Sequence, residues 1–232
     1  TSSFQDRVLK ICRLYMYDDR FYLKADEDTS VFCCENGVFD LELGVFREGR
    51  PEDFCTLSSP VAYHEYSLED DEVRNMLEML KKMFWSEPDL LDYLFLMVCM
   101  AASGRNVLKR FVCCTGDTNG GKSVFFRLCE LAFGEGDTGY MFKIPRERMI
   151  MGPMSSAGAA APDLARSKGK RMALSSEIAK IERINIGFVK EVTGKDSIYV
   201  RGLWAHGSEV HPHFTLFMQC NELPKIPGND AP

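Results

Sequence analysis

The chain has 232 residues, of which 45% are hydrophobic and 27% charged. That is ordinary globular composition, able to bury a core and incompatible with wholesale disorder. The net charge of −6 excludes a generic polybasic nucleic-acid coat. The longest apolar stretch, about residues 90–102, is broken by Asp92 and falls short of the roughly 18 residues a membrane-spanning helix needs.

Split in two, the charge says more. Residues 1–100 carry 10 Lys/Arg against 21 Asp/Glu, a net −11, and residues 101–232 carry 18 against 13, a net +5. An anionic partner is therefore expected at the second half. Nine cysteines, an odd number with no CxxC pair, argue against a disulfide framework and against a zinc ribbon. Most lie in apolar stretches and read as buried free thiols of a reducing compartment. The cluster His211-Pro212-His213 with Cys220 matches no zinc spacing. The amino terminus is polar, unlike a signal peptide, and has no initiating Met; an excerpt of a longer protein is expected.

In chain order, Phe4 to Lys24 has mixed helical spacing with aromatics. Val31–Cys34 and the run from Gly37 to Phe46 read as short strands with a turn at Gly44. Ser67 and Asp70 form a capping-box pattern opening a helix to about Phe84. Ser86 and Pro88 open another, to about Ser103 before Gly104. These boundaries divide the chain into an accessory region (1–66), a helical module (67–104) and an α/β core (105–232). In the core, Lys109–Cys114 is a short apolar strand, Lys122 to about Phe133 a helix and Arg171–Ser175 a buried-type strand. Met154–Pro162 is a small-residue loop, Asn185–Val192 is helical, and Ser197–Val200 and Phe214–Met218 are further strands. Strands alternating with helices predict a mostly parallel central sheet covered by helices.

One motif carries chemistry. Gly116-Asp117-Thr118-Asn119-Gly120-Gly121-Lys122-Ser123 fits the P-loop pattern in full, after an apolar strand and before a helix. Its glycines let backbone N–H groups curl around a phosphate, and the helix adds its positive end. Lys122 is expected to reach the β- and γ-phosphates of ATP, and Ser123 to bind Mg²⁺. A second acidic site normally ends a neighbouring strand, and Glu177 is the one carboxylate ending the run Lys170–Ser176. It stands as a candidate for activating water, holding Mg²⁺, or both. The usual pair there is acidic-acidic, whereas this chain has Ser176 then Glu177. Asn221 closes the run from Phe214. A strand-end amide beside a γ-phosphate positions water, although an Asn before Glu-Leu-Pro also suits a plain turn.

Three blocks in this order, Gly116–Ser123, Gly169–Glu177, and Val189–Asp196 running to Gln219–Pro224, resemble superfamily 3 helicases of the poxvirus-type primase-helicase group of large DNA viruses. Asn36–Gly44 is similar to the domain preceding the ATPase in that group. The resemblance implies an AAA+-like core assembling as a hexameric ring, acting on single-stranded DNA inside the host cell with an upstream primase module and replication proteins, and with no membrane association. It assigns Lys122, Glu177 and Asn221 to the ATPase site. It also implies a DNA-contacting hairpin within Arg201–His211, with Lys195, Arg201, Trp204 and His206 as contacts: cations meet phosphate and the ring stacks on a base or sugar. A core Trp204 and a carboxylate-paired Arg201 are the plainer alternatives. The group's arginine finger follows an Asp beyond Asn-Glu-Leu-Pro, and no Arg follows Asp230 here. A packaging or remodelling ATPase would share the P-loop without the hairpin. A metabolite kinase would use Arg146 and Arg148 as lid residues.

Overall fold

A computed structural model describes residues 2–18, 20–84, 87–152, 161–175, 177–194, 196–201 and 207–227. Two helices, α1 (Ser2–Tyr15) and α2 (Phe21–Lys24), precede an antiparallel sheet of β1 (Val31–Cys34), β2 (Gly37–Asp40) and β3 (Val45–Arg47). The sheet follows from residue alternation: Val31, Cys33 and Val38 turn inward and are buried. Gly44 closes the second turn at φ +68°, a conformation that glycine adopts without strain. The next segment lies along β1, with Ser59 N–H donating to Cys33 O (2.8 Å) and Glu35 N–H to Val61 O (3.2 Å).

Helix α3 (Asp71–Met83) begins later than the capping-box pattern implies. Asp70 accepts from Ser67 N–H at 2.8 Å, while Ser67 Oγ accepts from Glu69 N–H at 3.1 Å instead of from a helical N–H. The four residues thus form a turn ahead of the helix. Helix α4 (Pro88–Ala102) has Pro at its first turn and ends before Gly104, whose φ is +64°.

The central sheet joins β4 (Phe111–Thr115), β5 (Met141–Ile144), β6 (Met172–Ser175) and β9 (Thr215–Cys220) in the order β4-β9-β6-β5, all parallel. The expected α/β class is the one observed. The inner strands β6 and β9 are buried almost throughout, as strands covered on both faces must be. On one face, Met172, Leu174 and Phe217 join α4, helix α5 (Lys122–Phe133) and Val31, Cys33 and Val38 of the first sheet in one apolar cluster. On the other, Ala173, Leu216 and Met218 pack with helix α8 (Ile186–Thr193) and the hairpin strands β7 (Ile198–Val200) and β8 (Ser208–Val210). Asn185 caps α8, accepting from Phe188 N–H at 3.1 Å. Strand β5 and two four-residue helices, α6 (Arg146–Met149) and α7 (Pro162–Ala165), were not expected from local pattern.

Two cations are buried where β6 begins. Lys170, 1% exposed, donates to the carbonyls of Gly136 (2.7 Å), Asp137 (3.1 Å) and Gly139, and burial lowers its pKa to about 8. Arg171, 2% exposed, donates to Val31 O (3.1 Å), Asp28 O (3.2 Å) and Ser103 O (3.3 Å), and its guanidinium lies 5.7 Å from the Tyr140 ring centre. A Cβ on Gly104 would strike this guanidinium, so that glycine answers both to its backbone and to Arg171. All nine cysteines are free, but only Cys33, Cys129 and Cys220 are fully buried and Cys99 is exposed. The expectation of mostly buried thiols is corrected: Cys113 and Cys114, for example, pack against opposite clusters but stay half-buried because β4 is an edge strand of the sheet.

Candidate nucleotide-binding site

The turn between β4 and α5 has the backbone its residues predict. Gly116 (φ +155°), Asn119 (φ +68°) and Gly121 (φ +85°) occupy the positive-φ region. Asn tolerates it better than other residues with a Cβ. Gly121 immediately precedes α5, and a Cβ there would lie 2.6 Å from Met83 Sδ, so α3 supports the turn from below. Gly121→Ala should therefore cost about 1–2 kcal/mol from the left-handed backbone alone, and more from displacing Met83. Thermal melting of the two proteins measures it, and an unchanged Tm would refute it.

Thr118, Asn119, Gly120, Gly121, Lys122, Ser123 and Val124 line a cavity of about 360 Å³ together with Glu177, Gln219, Cys220 and Asn221. Helix α5 presents its first N–H groups, which have no intrahelical partner, at this place. Lys122 Nζ donates to the carbonyls of Gly116 (2.5 Å) and Asp117 (2.9 Å) and to Asn221 Oδ1 (3.0 Å). Burial pushes the Cys220 thiol up, with Lys122 opposing, so it enters the cavity as a neutral wall.

The strand order alters one expectation. The immediate neighbour of β4 is β9, which leads to Asn221, and β6, which leads to Glu177, lies one strand further out. The amide is thus the nearer group, and it is the one that holds Lys122. Glu177 reaches the cavity from the far side of β9. Gln219 and Cys220 were not expected as residues of the nucleotide site. Gln219 was legible in principle, as the amide side chain of an otherwise apolar strand end.

The hairpin has regular strands, with Ile198 opposite Val210 and Val200 opposite Ser208. Arg201 is exposed directly after β7, where the connection to β8 begins, and among the described residues no carboxylate pairs with it. Its carbonyl accepts from Ala161 N–H at 2.8 Å. Lys195, Trp204 and His206 lie outside the described residues. Arg146 and Arg148 are both engaged: Arg146 holds Glu182 (Nε–Oε2 3.0 Å, with a second bond from Nη2), and Arg148 forks onto Asp163 at 3.0 Å twice. Such bidentate pairs occupy the fork that a kinase lid would turn to phosphate. Among the described residues no helix is long and apolar enough to cross a membrane.

A glycine-rich turn opening a helix at the end of a parallel strand, within a covered sheet, defines the class: an α/β protein with a P-loop-like core. Residues 6–89 match the family described as D5 N terminal like. A protein of Acanthamoeba polyphaga mimivirus named a putative helicase is 34% identical over 231 residues, covering 99% of this chain and 23% of its own length. A putative helicase of Invertebrate iridescent virus 6 is 33% identical over 232 residues (97% and 23%), and one of Frog virus 3 is 26% identical over 290 residues (97% and 29%). Over nearly its whole length the chain is thus similar to proteins named putative helicases of large DNA viruses, and it spans about a quarter of the length of the curated relatives it matches.

Proposed function

We propose that this chain is the nucleotide-hydrolysing core of a viral replicative DNA helicase, using ATP and Mg²⁺ and acting on single-stranded DNA as a hexameric ring. The observation that carries the reading is the convergence of the P-loop, Glu177 and Asn221 on one cavity, in a chain related to proteins named putative helicases. The backbone N–H groups of residues 118–123 and the positive end of α5 receive the phosphates. Lys122 exchanges its carbonyl and Asn221 partners for the β- and γ-phosphate oxygens. Ser123 and Glu177 are the groups suited to hold Mg²⁺, which neutralises charge building on the phosphates. Glu177 takes the proton of the attacking water, and Asn221, released from Lys122, orients that water.

The residues proposed to touch DNA are Lys195, Arg201, Trp204 and His206, of which Arg201 directly follows the paired strand β7. In this reading the protein works within the infected cell, beside a primase module and other replication proteins. Replacing Trp204 by alanine is expected to weaken single-stranded DNA binding about tenfold, since a stacked base contributes about 1–3 kcal/mol, and to remove DNA stimulation of hydrolysis. Fluorescence anisotropy with labelled oligonucleotide and a forked-duplex unwinding assay on a protein of the relatives' full length test it. ATP hydrolysis that DNA neither stimulates nor binds to would turn the reading toward a packaging or remodelling ATPase.

A further inference from the structure

The inference concerns the same cavity and rests on the Mg²⁺·ATP reading just given. Five of the six residues of β9 are buried, and Gln219 is the half-buried one. Its Oε1 is shielded from solvent and meets no donor among the described residues, although the side chain lines the cavity beside Ser123, Glu177 and Asn221. Phe217, two residues earlier and so on the same face, stacks edge-on against Phe126 of α5 at 6.0 Å between ring centres. Gln219 therefore lies on the side of the sheet that α5 covers, nearer the P-loop end of the strand.

A buried acceptor left without a donor costs about 1–3 kcal/mol, so the amide oxygen calls for a donor. Phosphate oxygens are acceptors and cannot serve. A Mg²⁺ ion at a nucleotide keeps several of its waters, and each needs acceptors for its hydrogens. Among the described residues Glu177 is the one carboxylate lining the cavity, and a single carboxylate leaves part of that shell unmatched. We infer that Gln219 is a positioning residue of the metal site, its amide turning into the cavity it lines so that Oε1 accepts a hydrogen bond from a Mg²⁺-bound water. It would fill the place of the second acidic residue that this chain lacks beside Glu177.

The test is a Mg²⁺ titration of fluorescent ATP-analogue binding to this chain, for wild type, Gln219→Leu and Gln219→Glu, with thermal melting of each. Loss of an outer partner to a metal lowers affinity about 10–100-fold. Gln219→Leu should raise the half-saturating Mg²⁺ concentration by that factor, while affinity measured in chelator falls far less. Gln219→Glu should need no more Mg²⁺ than wild type; it keeps the shape and an acceptor, so it carries the test if the leucine variant fails to fold. Unchanged Mg²⁺ dependence in Gln219→Leu, or a higher Mg²⁺ requirement in a folded Gln219→Glu, overturns the inference. So does an equal loss with and without Mg²⁺, which would place the amide against the nucleotide itself. A wild type that binds nucleotide without regard to Mg²⁺ sinks this inference alone. A wild type that binds no nucleotide sinks the ATP-site reading beneath it.

Discussion

Lys122→Ala is expected to lower kcat by about 10²–10³ and to weaken nucleotide binding by about 10–100-fold. The rate effect follows from removing a preorganised cation aimed at developing phosphate charge, where loss of a single donor costs about 10²–10³. The binding effect is the loss of charge-assisted hydrogen bonds to phosphate, of about 1.5–3 kcal/mol. The fold should hardly notice, because Lys122 bonds at an exposed turn, to two carbonyls and one amide. Phosphate release by a protein of the relatives' full length, beside analogue binding by this chain, reads both quantities. A variant hydrolysing at a tenth of the wild-type rate would refute the role given to Lys122.

Arg171→Ala is expected to be the most damaging single change to the fold. The side chain is buried, and its guanidinium serves three carbonyls contributed by the loop before β1, by β1 itself and by the end of α4. Alanine removes the packed stem and leaves these acceptors facing a hole, at a cost of about 3–5 kcal/mol. That is a large part of a typical stability of about 5–15 kcal/mol. Urea melts monitored by far-UV circular dichroism measure it, and a loss below about 1 kcal/mol would disprove the account. Arg171→Met, which keeps the apolar stem, should lose less.

Much of the site was legible because P-loop chemistry is local. The turn at residues 116–121 needs positive φ at specific places, and the helix after it begins at Lys122 as its pattern predicts. The apolar runs of β6 and β9 were equally plain. Strand order was not, because nothing in the run from Phe214 says that it pairs directly with β4, pushing Glu177 one strand outward. Strand β5 and helices α6 and α7 have four residues each, too few for a period to declare itself. Arg171 was missed for another reason: arginine reads as a surface residue, and only the assembled fold reveals three carbonyls waiting for it.

That guanidinium also bears on how such a protein can be dissected or recombined. Two of its partners lie before residue 32 and the third at residue 103, while the side chain itself belongs to the strand leading to the nucleotide cavity. Cut between residues 104 and 105, the chain would yield one piece with orphaned carbonyls and another whose buried cation keeps only the Tyr140 ring beside it. Neither piece is a cassette. A chimera made from two viral relatives at that junction would have to carry arginine and acceptors across together, so the first hundred residues and the P-loop core are expected to be inherited as one unit.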